Sequence, residues 1–230
     1  MSQESRPELV VLPLRRMGFE EAFRLQLELR DRCIESGGAL NFLMLVEHPP
    51  TISIGRSGSR SDVLVSGEAL AEMGVHVAET NRGGEVTFHG PGQLVAYPII
   101  HLGRHGRDLH RYLRSLEAWL VRLCHGYGLE ARGRDPQTGV WVGPRKIASI
   151  GIAVRRWVAY HGVALNVDVD LDHFRLIVPC GMPQAEITSL AQELGSAPPM
   201  GEVAARAAEL FAEDFGMRAV SDASVEVAGR

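Results

Sequence analysis

Of the 24 lysine and arginine side chains in this 230-residue chain only Lys146 is a lysine, which leaves 23 arginines. Either the position beside Arg145 needs something arginine lacks, or Lys146 is the last survivor of a drifting composition. What arginine lacks is a neutral form: a guanidinium stays protonated at any accessible pH, whereas an amine withdrawn from water can act as a base near neutrality. A thiol is a natural partner for such a base, because the thiolate is the nucleophile and thiol and amine can exchange a proton cheaply. The chain has three cysteines, Cys33, Cys124 and Cys180. Cys33 and Cys124 fall in helix-like patterns, where cysteine serves as a small buried apolar residue. Cys180 stands between Pro179 and Gly181 in IVPCGMP, a stretch that cannot be regular helix and can expose its thiol. Spacing alone does not bring Lys146 and Cys180 together.

A second group of candidates is the string from Asn81 to Gln93, NRGGEVTFHGPGQ, four residues short of Tyr97. Gly83 and Gly84 after Arg82 allow a tight turn and close approach of a ligand to the backbone. Period two puts Thr87 and His89 on one strand face. Two readings stand side by side: a ligand-facing strand, or a packed β-hairpin turning at Gly90-Pro91-Gly92 around a core histidine. A third candidate is His161 beside Gly162 in YHGVALNVD, where a hydrogen-bonded core histidine competes with a working one.

The elements that must hold these residues read as follows. Residues 8–14 form a strand and 18–36 an amphipathic helix, with Phe19, Phe23, Leu27 and Ile34 near one stripe and Gly37-Gly38 as the stop. NFLMLVEH and TISIG are strands parted by Pro49-Pro50. A helix near 66–73 has Ser66 as its N-cap, and the strand VHVAET follows. EVTFHGPGQLVAYPII holds two strands. A long helix starts near Asp108 and ends at Gly126 or Gly128. Lys146, Ala148, Ile150, Ile152 and Val154 share one strand face, Arg155-Arg156 marks a turn, and WVAYHGVALNVDV returns. A last helix covers about 201–215. The irregular mixture predicts an α+β fold, read as a single domain with an ordered core of about 7–217 and a loose tail from about 221.

A net charge of −4 argues against nucleic acid as a partner. No apolar run reaches the roughly 20 residues that span a bilayer, and MSQESRPELVV lacks the layout of a secretory leader, so a cytoplasmic setting without a membrane is expected. An odd cysteine count without CxxC spacing fits a reducing compartment and argues against a structural metal. Neither GxGxxG after a strand nor GxxxxGK[ST] occurs, so no nucleotide site is expected.

RGGEVTFHGPGQLVAY, RKIASIG, HGVALNVD and VPCGM occur in this order. The set strongly resembles the lipoyl(octanoyl) transferase family, over about residues 43–190. The resemblance implies the α+β fold of biotin and lipoate protein ligases, a large mixed sheet with a smaller sheet and flanking helices. It implies transfer of an octanoyl group from octanoyl-acyl carrier protein to the target lysine of lipoyl domains, as the first step of endogenous lipoate synthesis. Those domains belong to 2-oxoacid dehydrogenase complexes and the glycine cleavage H protein. Matched by position, Cys180 falls on the family's acyl-thioester cysteine and Lys146 on its partner lysine. Arg82, Gly83, Gly84, Glu85, Val86, Thr87, Phe88 and His89 fall on segments that line the acyl pocket, as do Ser149, Ile150 and Gly151, and Gly162, Val163 and Ala164. Tyr97 and His161 are supporting candidates, and backbone N–H groups near Gly151 or Gly181 are candidate oxyanion donors. No cofactor and no metal is implied. An ATP-dependent lipoate or biotin ligase is the nearest rival, an octanoyl transferase acting between protein domains by amidotransfer is the second, and a silent module that captures lipoyl domains is a third. Because such carrier proteins are acidic, Arg107, Arg111 and Arg114 on one helix face, with Arg104 close by, are expected to dock the donor.

Overall fold

In the computed structural model, which describes residues 6–178 and 186–220, two sheets of unequal size carry the helices. The first half of the chain runs β1 (Glu8–Arg16), α1 (Phe19–Glu35), β2 (Leu40–Glu47), β3 (Thr51–Ile54), α2 (Gly67–Glu72), β4 (His76–Glu79), β5 (Val86–His89) and β6 (Gln93–His101). The second half runs α3 (Leu109–His125), β7 (Ala131–Arg134), β8 (Gln137–Val142), β9 (Arg145–Arg155), β10 (Val158–Asn166), α4 (Leu190–Leu194), α5 (Met200–Asp214) and β11 (Arg218–Val220). Eight strands form the large sheet in the order β11-β1-β2-β6-β10-β9-β8-β7, and β4-β3-β5 form the small one. The α+β expectation, a large mixed sheet beside a small one, describes this arrangement.

Each face of the large sheet has its own core. Leu43, Ala96, Val163 and Ile150 pack on one side with Trp119 of α3 and Phe211 of α5, and the Trp119 indole N–H donates to the Ala207 carbonyl at 2.9 Å. Met44, Val95, Tyr97 and Ala164 face the other side, against Ala22, Leu29 and Cys33 of α1. Full burial of one such side chain stabilises by about 1.5–3 kcal/mol. The helix starts follow from capping: Ser66 accepts from the Ala69 N–H, and Asp108 from the Arg111 N–H at 3.0 Å.

Four sequence expectations change. β5 and β6 are not a hairpin: β5 pairs β3 in the small sheet and β6 pairs β2 and β10 in the large one, so 90–92 is a crossing between sheets. The buried line of α1 is Phe19, Ala22, Gln26, Leu29 and Cys33, with Phe23, Leu27 and Ile34 on its flank. Gln26 turns inward because its Oε1 accepts the His161 N–H at 2.8 Å. Pairing of β10 with β6 lapses over 160–162, across from Pro98, which has no N–H to give. Third, β7 and β8 extend the sheet where no strand was expected. β7 is a short edge whose Arg132, Gly133 and Arg134 are exposed, so the alternation that marks a strand is missing.

The fourth change concerns Lys146. Ala148, Ile150, Ile152 and Val154 do share a face with the α3 core, but the register slips between Val140/Ala148 and Trp141/Lys146, leaving Ile147 as the extra residue. This bulge turns Lys146 to the opposite face, the one Ser149 and Gly151 occupy.

Candidate active site

On that face a cleft with an empty volume of about 480 Å³ lies between the large sheet, β5 and the start of α1. That volume includes its open mouth. Its walls include Val95, Tyr97, Ser149, Gly151, Gly162 and Ala164 from the large sheet, with Thr87 and His89 from β5. Arg82, Gly84, Ile150, His161 and Val163 complete the sequence-predicted residues that line it. Gly83, Glu85, Val86 and Phe88 do not. Strand alternation points Val86 and Phe88 into the small-sheet core, Gly83 donates its N–H to the Ile152 carbonyl at 2.8 Å, and the Glu85 carbonyl accepts from Arg82.

Two glycines make the cleft possible. A Cβ on Gly151 would sit 2.7 Å from the Gly83 carbonyl oxygen, so the 82–84 turn can lie on β9 only over a bare backbone. A Cβ on Gly162 would meet the Ala96 carbonyl oxygen at 2.2 Å and Pro98 Cδ at 2.6 Å.

The polar wall is satisfied from within. Arg82 is buried, and its Nη2 donates to the Ser53 carbonyl at 2.7 Å and the Glu85 carbonyl at 2.8 Å. Its Nε donates to Ser53 Oγ at 3.2 Å, which leaves the Ser53 hydroxyl proton for His89 Nε2 at 3.0 Å. His89 Nδ1 then donates to Gln93 Oε1 at 2.9 Å, and Gln93 Nε2 donates to Asn166 Oδ1 at 2.9 Å and to the Phe88 carbonyl at 3.1 Å. The network thus assigns the His89 tautomer, with both ring nitrogens engaged. Tyr97 donates to His48 Nε2 at 2.7 Å while His48 Nδ1 donates to the Met17 carbonyl, also at 2.7 Å. His161 Nε2 meets Asn81 Oδ1 at 2.8 Å and its ring stacks on Phe23.

These imidazoles are neutral at pH 7. Burial depresses all three; for His89 the neighbouring His48 and Arg82 add to it, and for His161 burial with Arg82 brings the value to about 3. Burial alone pushes the thiols of Cys33 and Cys124 up to about 12, which leaves them poor nucleophiles.

Lys146 stands beyond Ser149 on the cleft side of β9 and does not itself line the cleft. It is 4% exposed, and its Nζ lies over the Trp141 ring, 5.2 Å from the centroid. Its N–H donates to the Glu186 carbonyl at 2.8 Å and its carbonyl accepts the Thr188 N–H at 2.9 Å. Arg145 beside it is anchored by Glu193 through Nε at 2.7 Å and Nη2 at 2.8 Å. Cys180 and Gly181 lie outside the described residues, between Val178, whose N–H donates to the Asp62 carbonyl at 2.8 Å, and Glu186. The tail from 221 lies outside them too. Among the described residues no group of three or more His, Cys, Asp or Glu could hold a metal ion, and no helix is long and apolar enough to cross a membrane.

The lipoyl protein ligase A/B catalytic domain family matches residues 19–212. An octanoyltransferase of Geobacter metallireducens is 48% identical over 195 residues, 85% of this chain and 88% of its own. The chain belongs to the octanoyltransferase family. Lipoate-protein ligase A bound with ATP has the same fold, with a TM-score of 0.71 at 18% identity over 94% of this chain and 88% of that one. The biotin protein ligase of Aquifex aeolicus in complex with biotin and ATP has a TM-score of 0.53 at 10% identity, over 91% of this chain and 70% of that one.

Sequence reasoning missed Phe19 and Val95 as cleft residues, and His48 and Ser53 as the partners of Tyr97 and His89. Two signals were available: a histidine closing an apolar strand just before Pro49-Pro50, and an aromatic residue at the start of α1. Trp141 beside Lys146 was signalled only by GVWV ahead of RK.

Proposed function

We propose that this protein transfers octanoyl from octanoyl-acyl carrier protein to the target lysine of lipoyl domains through a thioester on Cys180. The acceptors are the lipoyl domains of 2-oxoacid dehydrogenase complexes and the glycine cleavage H protein. The observation that carries this reading is the placement of Lys146, buried on the cleft side of β9 beyond Ser149, with its backbone N–H bonded to the Glu186 carbonyl. In the sequence Cys180 lies between Val178 and that same Glu186. Cys33 and Cys124 are excluded as nucleophiles by burial. The octanoyl chain lies along Val95, Gly162 and Ala164, gaining about 0.8 kcal/mol for each methylene buried.

In the first half-reaction the Cys180 thiol proton passes to Lys146 Nζ and the thiolate attacks the donor's carbonyl carbon. A new S–C bond forms, the C–S bond to the carrier thiol breaks, and that thiolate leaves with the proton from Lys146. In the second half-reaction the acceptor lysine attacks as a free amine. The N–C bond forms, the bond to Cys180 breaks, and the amine proton returns to sulfur through Lys146. Thioester to amide runs downhill, so no ATP is consumed. His89 and His161, neutral and hydrogen-bonded within the wall, brace the cleft and shuttle no proton. A reducing, cytoplasmic setting suits a nucleophile that must stay a free thiol.

The test is mass spectrometry after incubation with octanoyl-acyl carrier protein. A hydroxylamine-labile octanoyl mass on Cys180, absent in Cys180→Ser, is expected. Full transfer by Cys180→Ala, or activity only with free octanoate and ATP, would overturn the mechanism.

A further inference from the structure

We propose that Trp141 is a positioning residue for Lys146, and that Gly139 leaves the space in which the lysine reaches it. The proposal rests on the reading of Lys146 as the proton acceptor for Cys180 and adds a part to that machinery.

Four observations converge on it. Val140 and Val142 of β8 face the α3 core, so Trp141 faces the other way, and it is 2% exposed. Its register partner on β9 is Lys146, delivered to that same face by the Ile147 bulge. Nζ of Lys146 lies 5.2 Å from the indole centroid, within reach of the negative face of the ring. Gly139, two residues before Trp141 on the same face, has φ 142°, a conformation L side chains rarely adopt. A Cβ there would stand 2.7 Å from Lys146 Cε, 2.8 Å from the Ala148 carbonyl oxygen and 3.1 Å from Trp141 Cη2. Gly139 is itself held, its N–H donating to Glu117 Oε1 at 3.0 Å.

The chemistry follows from enclosure. When Lys146 takes the thiol proton, a positive charge develops where little water can reach. The indole face stabilises that charge, so it favours the thiolate and the acylation step. Trp141 touches neither carbonyl nor sulfur in this scheme; it acts through Lys146.

The experiment is single-turnover acylation of the full-length protein by octanoyl-acyl carrier protein. Wild type, Trp141→Phe, Trp141→Leu, Gly139→Ala, Lys146→Ala and the double variant Trp141→Leu/Lys146→Ala are compared, each checked for cooperative unfolding. Trp141→Leu is expected to slow acylation roughly tenfold or more, and Trp141→Phe to restore much of the rate because it keeps a π face. In the Lys146→Ala background Trp141→Leu should change the rate no further, since the two act as one unit. Gly139→Ala should slow acylation with donor KM little changed, and it serves as the second route if Trp141→Leu fails to fold. An additive loss in the double variant, or a wild-type rate in both Trp141→Leu and Gly139→Ala, would overturn the proposal. Wild-type acylation by Lys146→Ala would instead sink the underlying proton-transfer reading.

Discussion

Lys146 and Trp157 stand at opposite ends of one hairpin, β9–β10, and both ends depart from regular strand geometry. At the Lys146 end the departure is a bulge, buried and answered on every side: by Trp141, by the space over Gly139, and by Glu186 and Thr188 on the backbone. At the other end Arg156 and Trp157 hold left-handed conformations, φ 49° and 63°, and Arg107 with φ 52° places its guanidinium over the Trp157 ring. Each such residue costs about 1–2 kcal/mol that glycine would not. Yet this end is open: Trp157 is 37% exposed and the arginines around it face solvent. Irregular backbone occurs at both ends, and only one has enclosure and a cleft beside it. Enclosure, rather than strain, is what gives a charged group leverage.

The comparison also bears on where the donor docks. Arg104, Arg107 and Arg111 belong to the Trp157 end, nine residues along β9 from Lys146, or about 30 Å. Arg114 is already engaged by Glu117 at 2.6 Å and Asp135 at 2.8 Å. The helix face expected to receive the carrier protein therefore lies at the opposite end of β9 from Lys146.

The contrast is open to attack at three points. The largest effect should come from Lys146→Arg, which keeps the charge and removes the neutral form. Acylation should fall on the order of 10²-fold or more, the scale of a lost general base, with substrate binding retained. Near-normal single-turnover rates at neutral pH would show that charge alone sufficed there.

An intermediate effect belongs to the braced wall. His161 sits at about 3 when folded, against an ordinary value near 6.5. Between those values the unfolded chain binds a proton that the folded one refuses, so stability falls as pH drops through that window. The slope per histidine is at most about 1.4 kcal/mol per pH unit, and buried His48 and His89 act in the same direction. His161→Asn, with a residue that tolerates positive φ, should flatten the loss between pH 6 and 4 in denaturant titrations. An unchanged acid limb would mean that His161 takes up its proton without resistance.

The smallest effect is expected at the open end. Arg111→Glu should leave the transfer rate with carrier substrate within about twofold even at low ionic strength, where surface charges act most strongly on encounter. A steep loss that salt relieves would bring the donor to the Trp157 end and undo the division of labour drawn above.

Much of the framework could be read before any coordinates. Ser66 and Asp108 announced their helices because a cap is a bond between near neighbours, and the strand tracts announced themselves by composition. Ser149, Gly151, Gly162 and Ala164 were legible as a group because they sit in recognisable strings. The stripe of α1 differs from the periodic reading because Gln26 accepts an N–H 135 positions away, where the pairing of β10 with β6 lapses. Period two could not warn that Ile147 would bulge, since one extra residue reverses every face beyond it.

By itself the sequence determined which residue types were present to do chemistry, a single lysine and one cysteine outside any helix pattern, together with the local signals that start and stop each element. Only the tertiary structure decided that β5 and β6 part into different sheets, that Phe19 and Val95 close the cleft, and that Lys146 turns toward Trp141. Those outcomes depend on which distant segments meet and how their registers align, and no window of neighbouring residues carries that information.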